Sequence, residues 1–133
     1  MKTKINEIVS FLWSDYDQND VETKLEKFDE LLEIVTKDDL PQLVSLLKSV
    51  QNDTWTRELL SEPIANLGES QYLEELFEAA YLNEKEEYDN DSLNFFLTEI
   101  AECDSENCKN KLLKLSQIKK YELKAKWLLE FCQ

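Results

Sequence analysis

The sequence predicts an all-α fold: a curved array of about eight antiparallel helices stacked in pairs. Three observations predict it. Apolar residues recur at a period of 33, as in Leu31, Ile64 and Leu97, in Ile34, Leu67 and Ile100, and in Leu40 and Leu73. Leu43 and Leu76, Val44 and Phe77, and Leu47 and Ala80 follow the same offset. A fixed period of this length marks stacked helical units, each of which hides its apolar stripes against its neighbours. The chain also has one Gly and two Pro in 133 residues, too few for the turns of a β-rich fold. Leu, Glu, Lys and Ala are abundant, and all favour helix.

The elements follow in order. A first helix at about 3–13 carries Ile5, Ile8, Val9, Phe11 and Leu12 on a broad apolar face. Residues 14–20 are a polar loop, and Asp20 is placed to cap a second helix at about 21–36. Asp38 is expected to cap the third, about 39–50, with Pro41 tolerated in its first turn. The fourth, about 54–67, contains Pro63, which removes a backbone bond and predicts a kink. Gly68 is expected to end it in the left-handed conformation. Ser70 should cap the fifth, about 71–82, with Glu74 near capping-box spacing. After an acidic linker come helices at about 91–103, 105–116 and 119–132. The last carries Tyr121, Leu123, Trp127, Leu128 and Phe131, read as one apolar stripe with Trp127 in the core. The units pair as 1–36, 37–68, 69–103 and 104–133 within a single domain, 1–133.

Composition narrows the function. With no His and one Gly, a nucleophile lacks its usual base and a phosphate loop lacks its glycines. No catalytic residue, cofactor or metal is therefore expected, and the chain is not read as an enzyme. Loops beginning at Asp15 and Asp89 fail the calcium-loop pattern, which needs Gly at its sixth position. Cys103, Cys108 and Cys132 fit no common zinc spacing and read as reduced thiols, with Cys103 and Cys132 as small buried residues. No membrane-spanning run of about 18 apolar residues occurs. The N-terminus has no secretory pattern, and a cytoplasmic location is the default.

The net charge is −14, beyond the roughly 2 to 8 units that solubility needs. Such a field repels nucleic acid and anionic membrane and speeds encounter with a basic protein. A merely solvated acidic surface is the competing explanation. A monomer is favoured.

The segment Leu40-Pro41-Gln42-Leu43-Val44-Ser45-Leu46-Leu47, the turn Asn52-Asp53-Thr54-Trp55-Thr56-Arg57 and the ending Ile64-Ala65-Asn66-Leu67-Gly68 together resemble a HEAT repeat. Tyr72 to Ala80, Asp89-Asn90-Asp91 and Ile100-Ala101-Glu102 are a second match, without the basic residue after the Asp. The resemblance covers 38–132 and implies a scaffold or binding module whose second helices line the binding face. On that logic Arg57, Glu58, Glu62, Asn94, Thr98, Glu99 and Glu102 face a partner. Glu84, Glu86, Glu87, Asp89 and Asp91 lie at one rim.

Size, acidity and fold type also resemble the small acidic immunity proteins of bacterial toxin systems. That resemblance implies an immunity protein that neutralises a basic nuclease toxin. The alternative is a HEAT-like scaffold or adaptor without a toxin. Trp13, Tyr16 and Asp17, with Asp15, form a candidate aromatic-acidic contact patch, since aromatic residues anchor interfaces. Trp55 fits either core packing or partner contact.

Overall fold

The computed structural model describes residues 2–132. Among these residues the regular structure is entirely helical. The α-helices are α1 (Thr3–Trp13), α2 (Val21–Ile34), α3 (Leu40–Leu47), α4 (Thr54–Gly68), α5 (Leu73–Lys85), α6 (Asp91–Cys103), α7 (Ser105–Leu115) and α8 (Glu122–Leu129). Short 3-10 turns at Lys37–Asp39, Glu69–Tyr72 and Lys119–Tyr121 lead directly into α3, α5 and α8. No described helix is long and apolar enough to cross a membrane.

α4 packs on α6 and α6 on α8, while α5 meets α7. α1 packs on α2, and α3 on α4. One apolar cluster runs through all of them, from Ile5 in α1 to Leu128 in α8. Positions one period apart share burial. Leu31, Ile64 and Leu97 are each fully buried, and so are Leu43 and Leu76. The spacing thus records which side of each helix is hidden, the quantity that apolar transfer rewards.

Local chemistry sets the helix ends. Asp20 caps α2 as expected, its carboxylate accepting from the Thr23 N–H at 2.8 Å. Asp53 and Thr56 form a reciprocal capping box at the start of α4. The cap before α3 is Thr36 with Asp39, not Asp38. Asp38 stays exposed while Asp39 is buried against the Lys2 ammonium at 2.9 Å. Ser70 does not cap α5. Its hydroxyl donates to Asp104 at 2.6 Å, tying the turn before α5 to the start of α7. α4 continues through the buried Pro63.

Gly68 does not take the left-handed conformation; its φ is −100°. Its lack of a side chain serves close packing instead, because a Cβ there would sit 3.3 Å from Leu40 Cδ1. The positive φ falls one residue later, on Glu69, at φ 50° and ψ −123°. Glutamate in that region carries a steric cost of about 1 kcal/mol or more. Glu69→Gly is therefore expected to raise unfolding free energy by about 1 kcal/mol in urea titration. Gly68→Ala should give no such gain, since Leu40 must move to admit the methyl.

Candidate functional site

The residues singled out in the sequence lie at the ends of α1 and α5, in the turns after them, and on α4 and α6. Several of their side chains are used inside the fold. Asn52 donates to the Leu46 and Leu47 carbonyls at 2.8 and 2.9 Å, closing the end of α3. Trp13 Nε1 donates to Asn52 Oδ1 at 2.7 Å, and the Tyr16 hydroxyl donates to Asp53 at 2.7 Å. The Trp55 ring lies beside Tyr16 with centroids 6.0 Å apart. The fully buried Lys24 ammonium sits 3.7 Å over the Tyr16 ring and donates to the Ser14 carbonyl. Trp13, Tyr16 and Trp55 thus brace the first helix pair against the turn before α4, while Asp15 and Asp17 point to solvent.

This bracing shifts the titrating groups. Burial, then the bond to the Asp53 carboxylate, pushes the Tyr16 phenol well above its ordinary range. Burial works against the charge on Asp53, but the Thr56 N–H and the Tyr16 hydroxyl outweigh it and hold the carboxyl below the usual range.

The next turn is organised by Arg57. Its guanidinium is buried and donates to Asn83 Oδ1 at 3.0 Å and to both Glu86 oxygens at 3.0 and 3.1 Å. Asn83 is fully buried and donates in turn to the Thr54 carbonyl at 3.2 Å and to Asn90 Oδ1 at 2.8 Å. Asn90 adopts the left-handed conformation, which Asn tolerates better than most residues. Its amide donates to the Ala80 carbonyl and to Glu84. Glu84 pairs with Lys124 at 2.9 Å, and Lys124 also donates to Asn94 at 2.8 Å.

Glu58 closes the other side of the turn. It accepts from the Ser92 and Leu93 N–H groups at the start of α6, and from the Tyr88 hydroxyl at 2.8 Å. That carboxylate, with burial second, pushes the Tyr88 phenol up to about 12. Among the described residues no buried side-chain polar atom lacks a hydrogen bond.

Arg57, Glu58, Glu84 and Glu86, expected at a partner face, are therefore occupied within the fold. Glu87, Asp89 and Asp91 are exposed at the rim. Sequence reading missed Asn83 and Asn90 as structural residues. A signal for the neighbouring cations was present, because Asp20 and Lys24 lie one period of 33 before Asp53 and Arg57. The period was read in the apolar residues alone.

A second group of carboxylates has no internal cation. Glu99 and Glu102 are exposed on α6 and make no ion pair with a described residue. Glu99 borders a cleft of about 170 Å3 between α4 and α6, with Ala65, Phe96 and Ile100 in its walls. Phe95, 59 % exposed, stands on the same helix. On α4, Glu62 is half-buried, and burial followed by the charge of Asp29 on α2 raises its pKa. The negative charge of α2 thus bears on that of α4 at this position.

The cysteines divide differently from expectation. Cys103 is exposed, whereas Cys108 is fully buried. Burial foremost, and the neighbouring Cys132 thiol, push Cys108 up to about 12. No described group of His, Cys, Asp or Glu has the arrangement of a metal site.

Two outcomes follow for stability. Asn83→Ala strands Arg57, the Thr54 carbonyl and Asn90, and should cost about 3 kcal/mol in chemical denaturation. Glu62 has a folded pKa above its unfolded value, so its ionisation opposes folding at neutral pH. That penalty is absent below the unfolded pKa and is complete once pH rises past the folded one. Glu62→Gln should therefore raise the thermal midpoint at pH 7 and lose this advantage as pH falls through the carboxylate range.

No protein-family model matches the chain, and comparison with curated proteins and with solved structures returns no significant match.

Proposed function

We propose that the protein is a non-catalytic binding module of curved, HEAT-like antiparallel helix pairs, whose second-helix face receives a basic protein. The observation that carries this reading is the set of carboxylates left without cations on that face. Glu62 is set against Asp29, and Glu99 and Glu102 follow Phe95 one and two turns along the same side of α6. Asp20, Asp39, Asp53, Glu84 and Glu86, by contrast, are engaged in caps and ion pairs within the fold. The charge on Glu62 weakens the isolated protein, and a cationic partner would relieve it. An exposed aromatic among such charges resembles an interface anchor with a charged surround.

The partner class that best fits is a nuclease toxin, and the activity is then that of an immunity protein acting in the cytoplasm. A nuclease presents Lys and Arg to phosphates, and a rigid row of carboxylates can occupy those positions in their place. Inhibition would be stoichiometric occlusion. A HEAT-like scaffold or adaptor without a toxin is the second reading, favoured by the apolar outer face of α8.

Affinity capture from the native cell, followed by stopped-flow association, tests the proposal. A basic partner is expected, with an association rate that falls at least tenfold between about 50 and about 500 mM salt, as steered encounter requires. Glu62→Gln, Glu99→Gln and Glu102→Gln combined should slow association by about an order of magnitude with a smaller effect on dissociation. An acidic partner, or a rate indifferent to salt, overturns the reading.

A further inference from the structure

α7 and α8 pack along one another across a short connection. The buried side of α7 is Cys108, Leu112 and Leu115. The buried side of the segment that leads into and along α8 is Tyr121, Ala125 and Leu128. Trp127, assigned to the core from sequence, lies on the outer side with Leu123, at 37 % and 83 % exposure. Helical spacing places Cys132 next on the inner stripe, one turn after Leu128. Leu115 and Tyr121 sit nearest the connection, so the two stripes end on Cys108 and Cys132 at the far end.

The backbone holds both thiols in place. The Cys108 N–H donates to the Asp104 carbonyl at 2.9 Å, and Asp104 is tied in turn to Ser70. After α8, the Phe131 and Cys132 N–H groups donate to the Leu128 and Leu129 carbonyls at 3.0 and 3.1 Å. The Phe131 ring packs on Trp127 with centroids 5.3 Å apart. Cys108 is fully buried, and Cys132 is half-buried against the same core. The two thiols are near enough to act on one another. Cys103 is exposed at the end of α6 and takes no part in this contact.

We infer that Cys108 and Cys132 are a reversible, peroxide-sensitive pair, whose disulfide clamps α7 to the turn after α8. Cys132 is the thiol that an oxidant can reach. Its thiolate sulfur attacks one oxygen of hydrogen peroxide, the O–O bond breaks, and the departing hydroxide takes up a proton as water. The sulfenic acid left on Cys132 then faces Cys108. Burial shields Cys108 from the oxidant and keeps it protonated, which leaves the first step to Cys132. The Cys108 sulfur attacks the sulfenic sulfur, the S–O bond breaks, and the Cys108 proton leaves with the hydroxide as a second water. Two thiols thereby lose two electrons and two protons, and one peroxide is reduced to two waters. The new bond closes a loop that contains all of α8 and restricts the unfolded chain. It also holds α8 where it packs on α6. Glu62, Glu99 and Glu102 take no part, so the clamp stands or falls apart from the binding of a basic protein.

Peroxide treatment of the dilute, reduced full chain tests the inference. One equivalent of hydrogen peroxide is added, and the protein is then denatured, alkylated and mapped by mass spectrometry. All three cysteines should alkylate before treatment and Cys103 alone afterwards, with one linked peptide joining Cys108 to Cys132. Dithiothreitol should restore the other two. The thermal midpoint of the oxidised protein should rise by about 5 °C and return on reduction. Cys103→Ser should leave both results unchanged. Cys132→Ser should abolish the link and the rise, with an unchanged circular dichroism spectrum. Cys108→Ala should leave Cys132 as a sulfenic acid that dimedone labels. If that buried substitution disturbs folding, the half-exposed Cys132→Ser carries the test alone. Three thiols that survive treatment, a link through Cys103, a sulfinic acid at Cys132 of the parent without closure, or a linked protein no more stable than the reduced one each overturns the inference.

Discussion

The way α4, the end of α5 and the turn before α6 fit together depends on one buried side-chain amide. Asn83 has no exposure and spends both amide ends on neighbours: Arg57 on one side, the Thr54 carbonyl and Asn90 on the other. Through these bonds α4, the end of α5 and the turn before α6 are held in one arrangement. Apolar packing alone would let helices slide, since the hydrophobic effect has no direction. A hydrogen-bonded network does have direction, and a register that strands one of its members incurs the desolvation cost of that group. Arg57 and Glu58 extend the constraint, the first by reaching the end of α5 and the second by closing the start of α6.

Electrostatics follows from this frame. The chain spends Asp53, Glu58, Glu84 and Glu86 on internal donors, and each of those carboxylates has a definite partner. Their contribution is structural. Glu62, Asp29, Glu99 and Glu102 have none among the described residues, and Glu62 shows the consequence in its raised pKa. The acidic side chains behind the net charge of −14 therefore divide into a part that holds the turns together and a part without a cation among the described residues. The segment after residue 108 is basic, and three of its lysines, Lys120, Lys124 and Lys126, pair with Glu78, Glu84 and Glu122.

Legibility from sequence varied with the range of the interaction. Helix spans were readable to within a few residues, and the Asp20 cap was readable because the N–H it binds lies three residues away. The leads into α3 and α5 were not. Thr36 took the role expected of Asp38, because Lys2 from the chain start holds Asp39 in place. Ser70 was drawn to Asp104, 34 residues on. Gly68 was read as a conformational requirement and proved to be a packing one, imposed by Leu40. In each case the deciding neighbour is remote in sequence.

The same division holds for the surface. Spacing and composition by themselves determined that the chain is helical, that apolar positions 33 apart share a buried side, and that the molecule is strongly acidic. Those properties belong to single residues and to helical geometry, which a sequence states directly. Only the tertiary structure decided which acids are free, why Arg57 lies inside, and why Trp127 looks outward while Ala125 and Leu128 look in. Exposure is set by which helix packs on which face. That choice is made by the whole fold through contacts between distant residues, and no local pattern in the chain specifies it.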